Sequence, residues 1–399
     1  MVERFTGSFT QQEPIPEAAI EAALAVMRHG RLHRYNTAPG EAGEVALLEE
    51  EFAAFTGAHY CLALASGGVA ITTGLRAVGV RPGDPVLTNA FTLAPVPGAI
   101  AAVGARPVFV EVTGDLVIDL EDLAEKGAQA KVLLLSHMRG HMVDMDRLME
   151  VAEAAGLTVI EDCAHTMGGS WGGVPSGRHG AMACYSTQTY KHMNSGEGGL
   201  LTSDDDEAMA RAILLSGSYM LYERHRARPP AEAFRRLRAE VPNISGRMDN
   251  LRAAILRPQL AALPAQVARW NRLYGEMEAG LASTPGLRLI PRAEAEGYVG
   301  SSFQFQLDGW RGEACADLVA RCAARGVELK WFGAEEAVGF TSRYVHWGYA
   351  APPQLPKTDA ALSGLVDLRL PLTFSREDVA TIARIIRAEV GALYQQGAA

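Results

Sequence analysis

Several classes of protein are excluded by what this 399-residue chain holds little of. It has five cysteines, Cys61, Cys163, Cys184, Cys315 and Cys322, an odd set with no C-x-x-C pair. Such a set offers no disulfide framework and suits reduced thiols in a cytoplasmic protein; no metal is expected. Cys163 and Cys184 read as small packing residues. Positive charge is also short: 37 basic residues stand against 46 acids, net −9. No global basic field therefore invites nucleic acid or an anionic membrane. No apolar run approaches the ~18 residues a bilayer span needs. The amino-terminal stretch MVERFTGSFTQQEPIPEAA carries acids and no apolar h-region, which argues against a secretory signal. Repeats and low-complexity segments are missing too.

What remains is an ordinary globular balance, 48% hydrophobic and 21% charged. A single core rarely grows past ~250–300 residues, so the length predicts one large domain and a smaller one. The division expected is an arm and helix over 1–30, a large domain over 31–265 and a small carboxyl-terminal domain over 266–399. Residues 1–13 read as a polar arm, and helices are expected over 14–29 and 45–55, each closed by glycine. Strands then alternate with helices: strands at 61–65, 85–88, 107–112, 132–135 and 157–160, with a helix over 144–155. This is an α/β pattern whose continuous apolar strands imply a mostly parallel sheet covered on both faces. Further helices are expected over 204–214, 248–263, 264–281, 311–325 and 376–394, with a half-buried strand at 301–307.

One stretch, VIEDCAHTMGGSWGGVPSGRHGAMACYSTQTYKHMNSGEGGLL (159–201), concentrates chemistry. A strand ends on Glu161 and Asp162; a second ends at Ser186; Lys191 follows beside Gly196-Glu197-Gly198-Gly199. In parallel sheets ligands sit beyond the carboxyl ends of the strands, where these residues fall. A lone lysine beside glycines is ordinarily a solvated charge, and a lone acid a cap or ion pair. Together they can bond an aldehyde through a desolvated amine and hold a pyridinium through a carboxylate. Ser66-Gly67-Gly68-Val69 opens a helix after a strand, so its free N–H groups make a phosphate cradle or simply a tight turn. Ser186 would either join that phosphate or cap a turn.

The order of S-G-x-x-A, VIED-x-A-H, S-x-x-x-x-K and GEGG resembles the DegT-type aminotransferases, fold type I pyridoxal-phosphate enzymes that aminate keto-sugars and keto-cyclitols. PGDPVLTNAFT (82–92), ARPVFVEV (105–112), SHMRGHMVDMDRL (136–148) and SGRMDNLRAAILRPQL (245–260) extend the resemblance over about 43–265. It implies that Lys191 bonds the cofactor aldehyde and moves the substrate proton, and that Asp162 pairs with the ring nitrogen. It puts His165 near the phenolic oxygen. It gives the phosphate to Gly67, Gly68, Val69 and Ser186. Ser245 and Arg247 would reach the phosphate of a neighbouring subunit, making a homodimer with shared active sites. Where the family stacks an aromatic ring on the cofactor this chain has Leu93; Phe91 would face the other way in an extended segment. Gly68 replaces the family's threonine, and LSGSY (215–219) replaces Arg-Asn-His-Gly.

The function expected is a pyridoxal 5'-phosphate aminotransferase working in two halves through the pyridoxamine form. Glutamate or glutamine would give the amino group; a keto-sugar or cyclic ketone would accept it. The alternatives are other chemistry on the same cofactor, such as dehydration, oxidation or amino-acid-directed transfer, or a non-catalytic regulatory homologue. Arg224, Arg226, Arg228, Arg235, Arg236 and Arg238 either bind a phosphorylated substrate or form a solvated face, as like-charge runs usually do. Trp331, Tyr344, His346 and Trp347 would line a sugar-stacking rim or the small-domain core. Arg369 could take a donor carboxylate bidentately.

Overall fold

Five-residue apolar runs build the central sheet of the computed structural model, which describes residues 3–351 and 353–398. Its strands are β1 (Tyr60–Leu64), β2 (Pro85–Asn89), β3 (Arg106–Val110), β4 (Val132–Ser136), β5 (Thr158–Asp162), Met182–Ser186 and Gly199–Ser203. Across the sheet the order is β1, Gly199–Ser203, Met182–Ser186, β5, β4, β2, β3. Gly199–Ser203 pairs antiparallel with both its neighbours, and the other pairings are parallel. The sheet is therefore mixed rather than purely parallel. This mostly parallel sheet is the one expected, and its antiparallel strand has a local cause: the 186–199 connection is a loop that folds back, with no crossover helix to return the chain to the same direction.

Alternation along each strand feeds two cores. Leu62, Leu64, Ile160 and Leu201 pack on one face with Ile71 and Leu75 of α3 (Gly67–Ala77) and Ile213 of the helix Asp206–Leu215. Cys61, Ala63, Ala183 and Leu200 pack on the other face with Leu48 and Phe52 of α2 (Glu44–Thr56). Each fully buried leucine or isoleucine contributes roughly 1.5–3 kcal/mol before chain entropy is subtracted. Covered on both faces, the sheet has its polar openings only at strand ends.

Two helices expected over 248–263 and 264–281 are one, Asn250–Leu281, running through Pro258 and Pro264. A proline removes a backbone bond, but here α1 (Glu17–His29), α2 and the final helix Arg376–Gln395 all pack along it. Tertiary contact overrides the local break. The residue-265 boundary falls inside this helix. Its first half (Leu256, Leu260, Leu263) serves the large core; its second (Leu273, Met277, Leu281) serves the smaller one.

The smaller unit carries a four-stranded antiparallel sheet in the order Arg288–Leu289, Ser302–Gln306, Leu365–Arg369, Lys330–Trp331. The expected polar arm is not loose. Phe5 and Phe9 are buried in this core, edge-on to Phe374 at 5.1 and 5.0 Å between ring centres. Apolar residues at this spacing inside a polar segment were the sign of it.

Candidate active site

The carboxyl ends of β1, β2, β4, β5 and Met182–Ser186 open on one cavity of about 650 Å³. Ser66, Gly67, Gly68, Leu93, Ser136, Arg139, Asp162, His165, Ser186 and Lys191 all line it. Its volume lies within the usual range for a small-molecule site.

Lys191 sits in the loop after Ser186. Burial pushes its amine down to about 7; Asp162 opposes the shift, while Arg139 and Arg369 add to it. Its Nζ lies 2.8 Å from His165 Nε2. His165 Nδ1 accepts the Arg139 backbone N–H at 3.3 Å, which assigns the ring hydrogen to Nε2. That hydrogen points at the lysine nitrogen, so the contact favours the neutral amine. Burial first, then Lys191 and Arg139, keeps the His165 ring well below its ordinary value and hence uncharged.

Glu161 and Asp162 end the same strand and, by its two-residue period, face opposite ways. Glu161 accepts the N–H groups of Gly177, His179 and Gly180 at 2.7–2.9 Å and contacts His137 Nε2 at 3.0 Å. It organises the Gly-rich crossing and does not line the cavity. Asp162 does. Its Oδ1 accepts from Ala164 N at 3.1 Å and its Oδ2 from Ser136 Oγ at 3.2 Å. Thr92 in turn donates to Ser136 Oγ at 2.8 Å. Burial raises the Asp162 carboxyl above its ordinary value, opposed by Lys191 and these donors.

Also on the cavity, Ser66 caps α3 by accepting Val69 N–H at 3.2 Å. That amide is thus already engaged, and the Val69 side chain lies off the cavity. A Cβ on Gly67 would sit 2.9 Å from Ser186 Cβ, whereas one on Gly68 would meet nothing nearer than Ser66 Oγ at 3.8 Å. Gly199 holds the cradle from behind, where a Cβ would lie 2.3 Å from Ser66 O. The helix start and the Ser186 hydroxyl thus approach closely only because glycines stand between them. Leu93 lines the cavity with an aliphatic wall; Phe91 is buried against Phe332, 5.2 Å between rings.

Ser245 and Arg247 are not brought to this cavity. Ser245 has φ +53°, and Arg247 donates to Gly217 O at 2.7 Å and lies over the Tyr219 ring. The arginine run does not converge either. Arg226 pairs with Glu50, Arg235 with Glu232 and Arg236 with Glu207, while Arg224 donates to Tyr35 O. Of the aromatics expected at a rim or in a core, none lines the cavity: Tyr344 and Trp347 pack with Phe109 in a core cluster, Trp331 bonds Ser363 O, and His346 Nε2 contacts Glu335 O at 2.9 Å. Phe340 reaches the cavity instead.

The sequence reading missed several lining residues. Gln12 to Pro16 close one side, held by Glu13 to Arg269 at 2.7 Å, and Gln259, Gln266 and Trp270 come from the long helix. Arg139, within a quoted motif, was given no role. It is buried in a left-handed backbone conformation, φ +57°, with Nη2 3.1 Å from Asp367 Oδ2 on the strand Leu365–Arg369. Arg369 stacks on Tyr190, its Cζ 3.7 Å from the ring centre. Neither the stack nor the Arg139–Asp367 pair has a signature in local sequence.

A profile of the DegT/DnrJ/EryC1/StrS aminotransferase family matches residues 15–387. The chain belongs to that family. It is similar to the pleiotropic regulatory protein of Geobacillus stearothermophilus, 32% identical over 254 residues, 60% of this chain and 64% of that protein. It is similar to a putative L-glutamine:3-amino-2,3-dideoxy-scyllo-inosose aminotransferase of Micromonospora echinospora, 30% identical over 286 residues, 70% of this chain and 66% of that protein. The chain thus spans just under two thirds of the length of both relatives. Among solved structures, 3-amino-5-hydroxybenzoic acid synthase superposes with a TM-score of 0.83 at 26% identity, covering 96% of this chain and 99% of that one. The fold type I architecture expected from the sequence is the one these structures share.

Proposed function

We propose that the chain is a pyridoxal-phosphate aminotransferase that moves an amino group from glutamate or glutamine to a keto-sugar or cyclic ketone. The observation that carries the reading is the half-buried Lys191 amine, 2.8 Å from His165 Nε2 in the cavity that Asp162 and the glycine-lined helix start also line, its pKa lowered to about 7. The residues fit the cofactor at both ends: a carboxylate for the ring nitrogen, and a helix terminus with a hydroxyl for the phosphate. When bound, pyridoxal phosphate supplies an aldehyde for amines and a pyridinium that stabilises charge on the carbon attached to it.

Each residue then has a task. Lys191 Nζ, as the free amine, would hold the cofactor at its aldehyde carbon and, once displaced, would carry the proton from the donor's α-carbon to that carbon, across the nitrogen that joins them. Asp162 stays ionised opposite the ring nitrogen, steadied by Ser136 and Ala164. His165 orients Lys191 and offers Nε2–H near the ring oxygen. The Gly67 and Gly68 side of the helix start, with Ser186, holds the phosphate; the Val69 amide, occupied by Ser66, contributes through the helix end. Leu93 packs the ring face in place of an aromatic. Arg369 takes the donor carboxylate. Ser245 and Arg247, which lie off their own chain's cavity, serve the second subunit of a homodimer. The division into an arm, a large cofactor domain and a small domain belongs to the same reading, as does a cytoplasmic location. Among the described residues, no helix is long and apolar enough to cross a membrane.

The names of relatives, an inosose aminotransferase and a deoxyglucose transaminase among them, support amino transfer to ring ketones. One relative is named a regulatory protein, which keeps a non-catalytic role as the second reading. The separating experiment adds glutamate, without acceptor, to the cofactor-loaded protein. Stoichiometric 2-oxoglutarate with loss of the aldehyde absorbance is expected. No 2-oxo acid from glutamate, glutamine or other amino acids would contradict amino transfer.

A further inference from the structure

The cavity holds more positive charge than a neutral ketone can use. Arg369 has one face on Tyr190 and forms no ion pair with a carboxylate among the described residues. Arg139 is 6% exposed, and its buried Nε and Nη2 make no hydrogen bond among the described residues. Its one counter-ion, Asp367, lies 3.1 Å away. Asp367 also accepts from Gln304 Nε2 at 2.7 Å and lies 3.8 Å from Lys330 Nζ. The other acids at the cavity are engaged or solvated: Asp162 faces Lys191, Glu13 pairs with Arg269, and Glu197 is exposed. The backbone of Arg139 is fixed in its left-handed conformation by its neighbours, since His137 contacts Glu161, His141 contacts Gln304 at 2.9 Å, and Arg292 donates to Gly140 O. Such a conformation is unfavourable for a non-glycine residue, and placing an arginine on the wall of a ligand cavity is a use that offsets it.

Amino transfer in two halves puts donor and acceptor in the same space in turn. A donor amino acid brings a carboxylate to these arginines. A neutral ketone would leave Arg369 without an anion and Arg139 with only Asp367, which Lys330 and Gln304 share, a costly state. Resting on the aminotransferase reading above, we propose that the ketone acceptor is itself an oxo-acid, a ring or sugar-like ketone bearing a carboxylate. Arg139, with Arg369, is the specificity-determining residue that reads that carboxylate. The two guanidiniums together supply donors for both carboxylate oxygens; a neutral chain at position 139 would not.

The first test needs no turnover. Calorimetry compares cyclohexanecarboxylate with the neutral cyclohexylmethanol on the wild type, Arg139→Met and Arg139→Lys, each checked for native fold by circular dichroism. The wild type should bind the carboxylate at least about 10-fold more tightly, Arg139→Met should lose most of that preference, and Arg139→Lys should keep part of it. The second test follows return of the aldehyde absorbance in the aminated protein with 3-oxocyclohexanecarboxylate and with 3-(hydroxymethyl)cyclohexanone. A higher kcat/KM for the acid is expected. Equal affinity for acid and alcohol in the wild type overturns the proposal even if Arg139→Met does not fold. A full preference in folded Arg139→Met assigns recognition to Arg369 alone and overturns the role of Arg139. A protein that makes 2-oxoglutarate yet prefers the neutral ketone keeps the aminotransferase reading and loses this one.

Discussion

At the residue scale, Lys191 depends on two opposed influences: burial lowers its amine to about 7, and Asp162 raises it. Removing the carboxylate charge should therefore lower the amine further. For Asp162→Asn, the rate at which the cofactor-free protein adds pyridoxal phosphate should reach its half-maximum at lower pH than in the wild type, read by absorbance across a pH series. A midpoint moved upward would show that Asp162 does not act on Lys191. The glycines of the helix start make a paired prediction. Gly67→Ala drives a methyl to within 2.9 Å of Ser186 Cβ, while Gly68→Ala enters open space. Gly67→Ala should lose about 1–3 kcal/mol in denaturant unfolding and weaken cofactor retention. Gly68→Ala should be neutral or gain up to about 1 kcal/mol. Lys191 and Asp162 could be marked in the sequence because covalent and pyridinium chemistry demand those residue types at strand ends. Arg139 could not, because its meaning comes from a left-handed turn and from Asp367 on a distant strand.

At the element scale, α2 is pinned by a buried ion cluster. Glu49 accepts two bonds from Arg34 at 2.8 Å, and its Oε2 lies 3.2 Å from His225 Nδ1. Burial alone would raise the Glu49 carboxyl, yet Arg34 and then His225 hold it at about 2. The folded value lies below the ordinary 4.5, so this stabilisation is complete above pH 4.5 and is lost as pH falls towards 2. Glu49→Gln leaves Arg34 buried without its counter-charge. It should cost about 3–5 kcal/mol and flatten the acid side of the stability profile, measured by urea unfolding between pH 2 and 6. The elements themselves were largely legible, since strand and helix periods differ. The errors came where distant packing decided the outcome: prolines inside Asn250–Leu281 and phenylalanines that anchor the arm.

For the whole molecule, Ser245 and Arg247 lie off the cavity of their own chain, and the shared-site proposal gives them to a partner. Lys191→Ala and Arg247→Ala homodimers should each be impaired. Unfolded together and refolded, they should recover up to about one quarter of wild-type activity, because half the dimers are hybrids with one intact site. No recovery, with hybrid dimers verified by mass, would place both residues in the same subunit's site or remove Arg247 from it. Such an arrangement cannot be read from one chain's pattern, because the contact joins two copies.

All of this depends on where the cofactor attaches. The most direct measurement reduces the pyridoxal-phosphate-loaded protein with borohydride, digests it and locates the modified lysine by peptide mass. The expected result is one phosphopyridoxyl group per chain, on Lys191, and none on Lys191→Ala. Modification spread over surface lysines, or centred on any residue other than Lys191, would contradict the account.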